Sequence, residues 1–142
     1  MPVPPEKQAL AEALLSGEPV LARLATVNPK TLQPHVTPVW FLWDGESVWI
    51  SAFISTRKAK DVTRNRKIAV LIEPKDTSQL QAVLLEGPCE LYQAPDELVE
   101  RMSLKIYERY VGAGRLSDKE KSWAVDPENR LIKLTPARFI AW

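Results

Sequence analysis

The sequence predicts a mainly β protein of the α+β class, with about six strands and three helices in one domain spanning residues 1–142. Strand-like apolar runs are joined by hairpin-length connections or by single helices, without the regular alternation of strand and helix that builds a parallel sheet. The length suits one core, because a chain of this size buries about two-thirds of the surface that it exposes when unfolded. No internal repeat or long linker divides the chain.

Composition limits the classes of function. Hydrophobic residues make up 45% and charged residues 26% of the chain, as in ordinary globular proteins. The formal net charge of +1 provides no overall field for nucleic acid or an anionic membrane, so we expect neither as a partner. A single cysteine, Cys89, excludes an intrachain disulfide and suits a reducing compartment. Because no apolar run reaches the roughly 18 residues of a membrane span, we expect a cytoplasmic protein.

The first third of the chain predicts a helix and two strands. Leucine and alanine recur at helical spacing over residues 6–17, and Gly17 provides a C-terminal stop. Two strand-like runs follow at 19–29 and 35–43, with a turn signal over 28–30. These runs predict a helix followed by two strands.

An Asp-Gly pair at 44–45 separates the run 35–43 from the next run, 47–55. This pair between two strand-like segments is a strong signal for a hairpin, so the two runs are expected to pair antiparallel. A short helix is then predicted over 56–67 and two further strands over 68–74 and 80–92.

The last third begins with a segment of clear helical periodicity. Residues 95–114 place Leu98, Met102 and Ile106 on one face, which predicts a helix of about four turns. The polar stretch 117–129 is interpreted as a loop, and 130–142 as the last strand.

The run Val39–Trp43 is apolar without alternation, so both faces of its strand must be covered. A barrel interior would cover one face. In the simplest arrangement a second copy of the chain covers the other, which predicts a homodimer through a face that includes Trp40 and Trp43. Alternatively, the helices of the same chain cover the outer face.

Positive charge is concentrated in residues 57–67, where six lysines and arginines accompany a single acid. Ser55 and Thr56 are residue types that begin helices, which places Arg57 and Lys58 in the first helical turn. Cations there oppose the helix dipole at a cost of about 0.3 to 1 kcal/mol each. The effect changes sign if an anion such as phosphate binds the free amide groups.

A basic helix face exposed to solvent would also explain the charges, with Asp61 and Arg64 at helical spacing balancing each other in part. The physics of the residues leaves these two interpretations open. A nucleic-acid site is less consistent with the pattern, because the run is short and lacks interleaved aromatic residues.

Side-chain catalysis lacks the necessary residues. The chain has one histidine, His35, and one cysteine, Cys89, too few for a catalytic triad or a histidine-based metal cluster. His35 is expected at a strand end and Cys89 as a small packed residue. The phosphate-binding Walker sequence and the Gly-x-Gly-x-x-Gly turn are both missing. We therefore predict no catalytic side chain and no metal site.

In order, residues 23–74 contain a strand, a Pro-His-x-Thr-Pro-Val-Trp strand, an Asp-Gly turn, a strand, a Thr-Arg-Lys-Ala helix and a Val-Leu-Ile strand. This order resembles the pyridoxamine-phosphate-oxidase-like flavin- and deazaflavin-binding split barrels. The resemblance extends over about residues 20–142, and only 95–121 is unspecific. It implies a six-stranded antiparallel split β-barrel of the FMN-binding type, a homodimer, and a cofactor in each of two clefts along the subunit interface.

The resemblance also implies the cofactor-binding residues. The basic pair Arg57 and Lys58 would hold the cofactor phosphate, and the ring would lie along the strand that carries Pro38, Val39 and Trp40. Pro38 cannot donate to a sheet ladder, which a ligand-facing edge strand tolerates. The smaller side chains of the implied site are Ser51, Ala52, Ser55 and Thr56.

One departure narrows the activity. True pyridoxamine-phosphate oxidases carry an Arg-x-His near the C-terminus, whereas this chain ends in Pro-Ala-Arg-Phe-Ile-Ala-Trp, so oxidation of vitamin B6 is not expected. The resemblance implies an oxidoreductase for a small-molecule substrate, in which bound FMN or the deazaflavin coenzyme F(420) carries the hydride. The alternative is a flavin- or haem-binding protein without turnover, because one fold hosts several functions.

Overall fold

A computed structural model describes residues 3–142 and, within that range, contains four helices and eight strands. The helices are α1 (Pro5–Ser16), α2 (Arg57–Arg64), α3 (Glu97–Val111) and α4 (Asp118–Val125). The strands are β1 (Ala22–Val27), β2 (Pro34–Val39), β3 (Leu42–Trp43), β4 (Val48–Phe53), β5 (Lys67–Ile72), β6 (Val83–Gln93), β7 (Asn129–Leu134) and β8 (Arg138–Ala141). None of these helices has the length and apolar character needed to cross a bilayer.

The strands form one antiparallel sheet in the order β2-β1-β5-β6-β7-β4-β3, with β8 also paired to β6. The first half of β6 pairs with β5 and β8, and its second half pairs with β7, so the sheet curls into a half-barrel. Gly87 lies where the partners change. A Cβ atom there would come within 3.0 Å of the Ala137 backbone nitrogen, so the approach of the β7–β8 connection depends on glycine.

Two apolar cores lie on opposite faces of the sheet. The inner core fills the half-barrel and includes Leu15 of α1 and Val62 of α2. The outer core lies between the sheet and helices α3 and α4. Strand β4 contributes to both cores by alternation, with Ile50 facing inwards and Trp49 outwards. Helices therefore pack against both faces of the sheet at β4.

The predicted class and the predominance of antiparallel strands are confirmed, but the strand count is higher than predicted. The predicted strand 35–43 divides into β2 and β3, because the backbone N–H of Phe41 donates to the Tyr110 hydroxyl at 3.2 Å instead of joining a sheet ladder. The last predicted strand divides into β7 and β8 around Pro136, a residue without an N–H.

The hairpin predicted at Asp44 and Gly45 is present between β3 and β4, with Leu42 opposite Trp49. Asp44 holds the turn by accepting hydrogen bonds from the backbone N–H groups of Glu46 and Ser47 at 2.8 and 2.7 Å. The longer part of the predicted strand, β2, pairs instead with β1 at the edge of the sheet. Pro38 therefore lies on an edge strand, as its missing N–H requires.

The prediction of a loop over residues 117–129 is wrong, because this stretch contains α4. The helix begins after Ser117, whose backbone N–H donates to the Glu120 side chain at 3.2 Å. Serine followed three residues later by glutamate is the sequence pattern of a capping box. The polar composition of the segment concealed this pattern.

The apolar run Val39–Trp43 is covered by helices of the same chain. Trp43 is only 9% exposed, and its indole N–H donates to Glu12 of α1 at 2.9 Å. Trp40 stacks on Tyr110 of α3 with the ring centroids 5.0 Å apart. Helices of the same chain therefore cover Trp43 and one face of Trp40, as in the alternative arrangement, and Trp43 is not available to a partner subunit.

Candidate functional site

A cleft of about 300 Å³, here called the central cleft, opens beside the end of β2, the middle of β4, the first turn of α2 and helix α3. It brings together five of the nine predicted cofactor-binding residues. These are Pro38, Val39, Trp40, Ser51 and Lys58. The remaining lining residues were not predicted from the sequence and are Leu21, Ile106 and Tyr107.

A second depression of about 210 Å³, here called the aromatic pocket, adjoins the central cleft and shares Trp40, Ser51 and Tyr107 with it. Its remaining lining residues are Ala52, Phe53 and Trp123. Ala52 is buried in the inner core, opposite in direction to Ser51, so its contribution to a ligand would come mainly through the backbone.

Lys58 is the cation of the central cleft. Its side chain is half-buried and makes no hydrogen bond or ion pair within residues 3–142. Loss of solvation lowers the pKa of this lysine from its ordinary value of 10.5. A partly desolvated cation without a partner is unfavourable by itself and becomes favourable beside an anion.

The start of α2 supplies free donors beside Lys58. Thr56 occupies the N-cap position, but its hydroxyl donates to the Phe53 carbonyl at 2.6 Å and caps no amide. Among the described residues, no side chain accepts from the first-turn N–H groups of Arg57, Lys58 and Ala59. Unsatisfied amides, the helix dipole and a neighbouring cation together make a suitable site for phosphate.

Arg57 and Ser55 lie on a different side of α2, in a cavity of about 660 Å³ here called the basic cavity. The structure therefore separates the predicted basic pair, with Arg57 lining one cavity and Lys58 the other. The residues of the basic cavity are Asn28, Pro29, Lys30, Ile54, Ser55, Arg57, Lys60, Asp61, Thr63 and Arg64.

Asp61 does not balance the basic helix face as the solvent-exposed interpretation requires. It is 3% exposed, and its carboxylate accepts from the Thr26 hydroxyl at 3.0 Å. Neither Arg64 nor Lys60 forms an ion pair in the described part of the chain. The positive charge along α2 is therefore left for a ligand or solvent.

Ser51 belongs to a hydrogen-bond network behind the central cleft. Its hydroxyl donates to the Asn129 side-chain oxygen at 2.7 Å, and the Asn129 amide donates to Ser103 at 3.0 Å. Because the single proton of Ser51 is used in this way, the Tyr107 hydroxyl, 3.0 Å from Ser51 Oγ, is the donor of that pair. Ser51 thus has no proton left for a phosphate oxygen.

Tyr107 connects the network to the cleft. Burial raises the pKa of its phenol, and hydrogen bonds with Ser51 and Ser103 oppose that shift. The residue lies on α3, in the part of the chain where the resemblance is unspecific, and Trp123 lies on the helix interpreted as a loop. Helical periodicity in α3 and the capping box before α4 were the signals available for finding them.

His35 and Cys89 lie outside the central cleft, the aromatic pocket and the basic cavity. Cys89 is buried, and desolvation raises the pKa of its thiol to about 11. A thiol in this state is a packed side chain and not a nucleophile. His35 pairs with Thr26 across the β1–β2 ladder.

Solved structures similar to this chain include proteins with different described functions. A conserved hypothetical protein from Mycobacterium tuberculosis matches with a TM-score of 0.73 and 26% identity, covering 94% of this chain and 82% of that chain. An F420 reductase matches with a TM-score of 0.69 and 27% identity, covering 90% and 94%. The haem storage protein of Vibrio cholerae matches with a TM-score of 0.69 at 15% identity, covering 97% and 92%, which shows likeness of fold alone.

Among curated proteins, no sequence matches this chain. The sequence profile described as pyridoxamine 5'-phosphate oxidase matches residues 7–142, which is nearly the whole chain. The match includes β2, β4, α2 and α3, which form the central cleft. The chain therefore belongs to the pyridoxamine 5'-phosphate oxidase family.

Proposed function

We propose that the protein is a flavin-dependent oxidoreductase that binds FMN in the central cleft and uses the bound ring to transfer hydride to or from a small molecule. The observation that carries this proposal is the unpaired, half-buried Lys58 beside the free amide groups of α2. Phosphate at this helix end would satisfy the amides and the cation together.

The residues fit a phosphorylated flavin. The cleft is within the range of about 300 to 1,000 Å³ typical of small-molecule sites, and its walls are apolar apart from Lys58 and the hydroxyl groups of Ser51 and Tyr107. When bound, FMN would supply the hydride chemistry. Lys58 and the first-turn amides would hold its phosphate, Pro38 and Val39 would support the ring, and Trp40 would shield the cleft from water.

Coenzyme F(420) is the alternative cofactor, and the basic cavity favours it. The side chain of this deazaflavin continues beyond its phosphate into carboxylate groups, which need more cations than one phosphate does. Lys60 and Arg64 provide such cations on the far side of α2 from the central cleft. The match to an F420 reductase at 27% identity supports the same alternative.

The two cofactors can be distinguished with one pair of substitutions. The double substitution Lys60→Ala/Arg64→Ala should lower the affinity for F(420) and leave the affinity for FMN unchanged, because FMN carries no anionic group beyond its phosphate. Titration of each cofactor into wild type and the double variant measures both affinities. Lower affinity for both cofactors would indicate that the basic cavity binds the phosphate group that the two cofactors share. Equal affinity of wild type and the double variant for F(420) would show that the basic cavity does not contact the cofactor.

Oxidoreductase and non-catalytic binder are distinguished by the spectrum of the loaded protein. We expect the absorption band of the bound flavin to bleach with NADPH or another hydride donor, and an acceptor to restore it. A bound flavin that stays oxidised with every donor would support storage or transport. A haem spectrum would overturn the flavin assignment.

We also propose a homodimer, formed through the outer face of the β2-β1-β5-β6-β8 part of the sheet. Val36 on this face is 61% exposed. The pairing places Leu71, Leu84 and Ile140 side by side in adjacent strands on the outer face, each partly exposed. An apolar sheet face of this kind is suited to a second copy of the chain, since solvent exposure of such a patch is unfavourable.

A further inference from the structure

We infer that the aromatic pocket is the substrate subsite and that it accepts a flat, uncharged ring compound; this inference rests on the proposed function, because it places the substrate beside the cofactor. The aromatic pocket shares a wall with the central cleft, formed by Trp40, Ser51 and Tyr107. A molecule in the aromatic pocket would therefore lie next to a molecule in the central cleft. Its volume of about 210 Å³ suits one small ring system.

The shape of the pocket is set by aromatic rings at right angles to one another. Tyr107 meets Trp123 edge to face with the centroids 5.9 Å apart and an interplanar angle of 87°. It meets Trp40 at 6.4 Å and 65°. One face of Trp40 is already stacked on Tyr110, which holds the indole in place. Phe53 adds a fourth ring. Rings arranged in this way contact a planar guest by both stacking and edge interactions.

The charges around the pocket exclude a cationic guest. Aromatic cages also bind quaternary ammonium groups, but such sites need neighbouring groups that tolerate positive charge. Here the charged neighbours are Lys58 in the adjoining cleft and Lys119, whose ammonium lies 5.7 Å from the Trp123 ring centroid. No acid lines either the central cleft or the aromatic pocket in the described structure. A cation would therefore be repelled.

An anionic guest is disfavoured by the lack of donors. The hydroxyl proton of Ser51 is donated to Asn129, and that of Tyr107 is donated to Ser51. An anion in this pocket would lose its hydration without gaining hydrogen bonds from these hydroxyl groups, which is costly. In the loaded protein the cofactor phosphate would already neutralise Lys58, so this lysine would not compensate the cost. The remaining class is an uncharged ring compound, for which aromatic contact and loss of apolar surface provide the affinity.

A matched series of bicyclic probes tests this inference. Quinoline, N-methylquinolinium and quinoline-2-carboxylate at pH 8 share one ring system and differ in charge. Calorimetric titration into the cofactor-free protein should show quinoline binding more tightly than N-methylquinolinium. Titration into the FMN-loaded protein, where the phosphate would neutralise Lys58, should show quinoline binding more tightly than either ion. Trp123→Leu should weaken quinoline binding about tenfold or more, as loss of an aromatic anchor typically does. Trp142→Leu, which alters an exposed tryptophan outside the pocket, should leave it unchanged.

Phe53→Leu is the second variant and keeps the test informative if Trp123→Leu does not fold. Parallel FMN titrations separate this inference from the proposed function: Trp123→Leu should retain wild-type FMN affinity, and FMN-loaded protein should still bind quinoline. Displacement of quinoline by FMN would overturn the inference, because the aromatic pocket would then belong to the cofactor-binding site. Tighter binding of the cation, tighter binding of the anion to the FMN-loaded protein, or equal affinity in wild type and both pocket variants would also overturn it. Failure of FMN to bind while quinoline binding depends on Trp123 would count against the flavin proposal alone.

Discussion

Lys58 and Arg57 are consecutive in the sequence, yet Lys58 lines the central cleft and Arg57 lines the basic cavity. Consecutive helical residues point in directions about 100° apart, so the two basic side chains approach the start of α2 from different sides. Both side chains flank the free amides of α2. Burial affects the two unequally, since Lys58 is half-buried and Arg57 is exposed.

The lowered pKa of Lys58 predicts a pH dependence of cofactor binding. As the pH rises through this pKa, which lies below the ordinary value of 10.5, the lysine loses its charge and the affinity for FMN should fall. Phosphate ionisation does not interfere, because the second phosphate pKa is about 6. Titrations from pH 7 up to the ordinary lysine pKa of 10.5 measure the effect, and Lys58→Arg should abolish it. A constant affinity in wild type across this range would contradict the assignment of Lys58.

Tyr107 should matter for stability through one hydrogen bond. Tyr107→Phe removes the donor to Ser51 and should lower the free energy of unfolding by about 0.5 to 1.5 kcal/mol. Tyr92→Phe is the matched control, because the Tyr92 hydroxyl makes no hydrogen bond within residues 3–142, and its effect should stay within about 0.5 kcal/mol. Urea denaturation of the three proteins measures both effects. Equal stabilities for the two variants would mean that the Tyr107–Ser51 hydrogen bond contributes nothing to stability.

Helix α3 is fastened to the rest of the protein by Arg109. One guanidinium nitrogen donates to the Phe41 carbonyl at 2.7 Å, and the other donates to the carbonyls of Leu15 and Gly17 at 3.3 and 3.4 Å. The Phe41 ring lies 4.5 Å from the guanidinium carbon. Since Leu15 belongs to the last turn of α1, Arg109 supplies the cation and donors that a helix C-terminus favours.

We therefore expect Arg109→Ala to destabilise the protein by about 1.5 to 3 kcal/mol, the usual range for hydrogen bonds to a charged group. Arg101→Ala alters an exposed arginine of the same helix and should change stability by no more than about 0.5 kcal/mol. Thermal and urea unfolding of both variants provide the comparison. If Arg109→Ala unfolds like Arg101→Ala, the attachment of α3 depends on apolar contacts alone.

Most elements could be predicted from the sequence, because they are encoded by local patterns. Periodicity indicated α1 and α3, and the Asp-Gly turn indicated the β3–β4 hairpin. The break between β2 and β3 could not be found in this way, since the partner of Phe41 N–H is a hydroxyl 69 residues further on. By contrast, α4 carried a local signal at Ser117 and Glu120 that was outweighed by its polar composition.

The candidate site was predictable to a similar degree. The resemblance placed Lys58, Trp40 and Ser51 at one site, and the structure brings these three residues into one cleft. Residues contributed by α3 and α4 were missed, because the motifs that carry the resemblance lie outside these helices and a helical pattern does not show which strand the helix covers. The sequence also could not show that the Ser51 hydroxyl donates its proton within the protein, since the acceptor, Asn129, lies far along the chain.

For the whole molecule, the proposed dimer predicts sedimentation at twice 16.0 kDa at micromolar concentration. Val36→Asp introduces a charge on the proposed face and should shift the equilibrium to monomer, because an unpaired charge buried in an interface is costly. Val125→Asp places the same charge at the end of α4, away from that face, and should leave the dimer intact. A wild-type monomer at these concentrations, or equal effects of the two substitutions, would contradict the proposed interface.

The central claim is that the start of α2 holds the phosphate of the cofactor, and it is tested most directly by titrating FMN and F(420) into wild type, Lys58→Ala, Arg57→Ala and Arg66→Ala. Charge-assisted contacts contribute about 1.5 to 3 kcal/mol, so Lys58→Ala should weaken binding at least about tenfold. Arg57→Ala should also weaken it, and Arg66→Ala, in a residue beyond α2, should not. Without cofactor, Lys58→Ala should melt at the wild-type temperature or above, because it removes an unpaired cation. Wild-type affinity in a Lys58→Ala protein that melts at a lower temperature would contradict the account, since the lysine would then serve the fold and not a ligand.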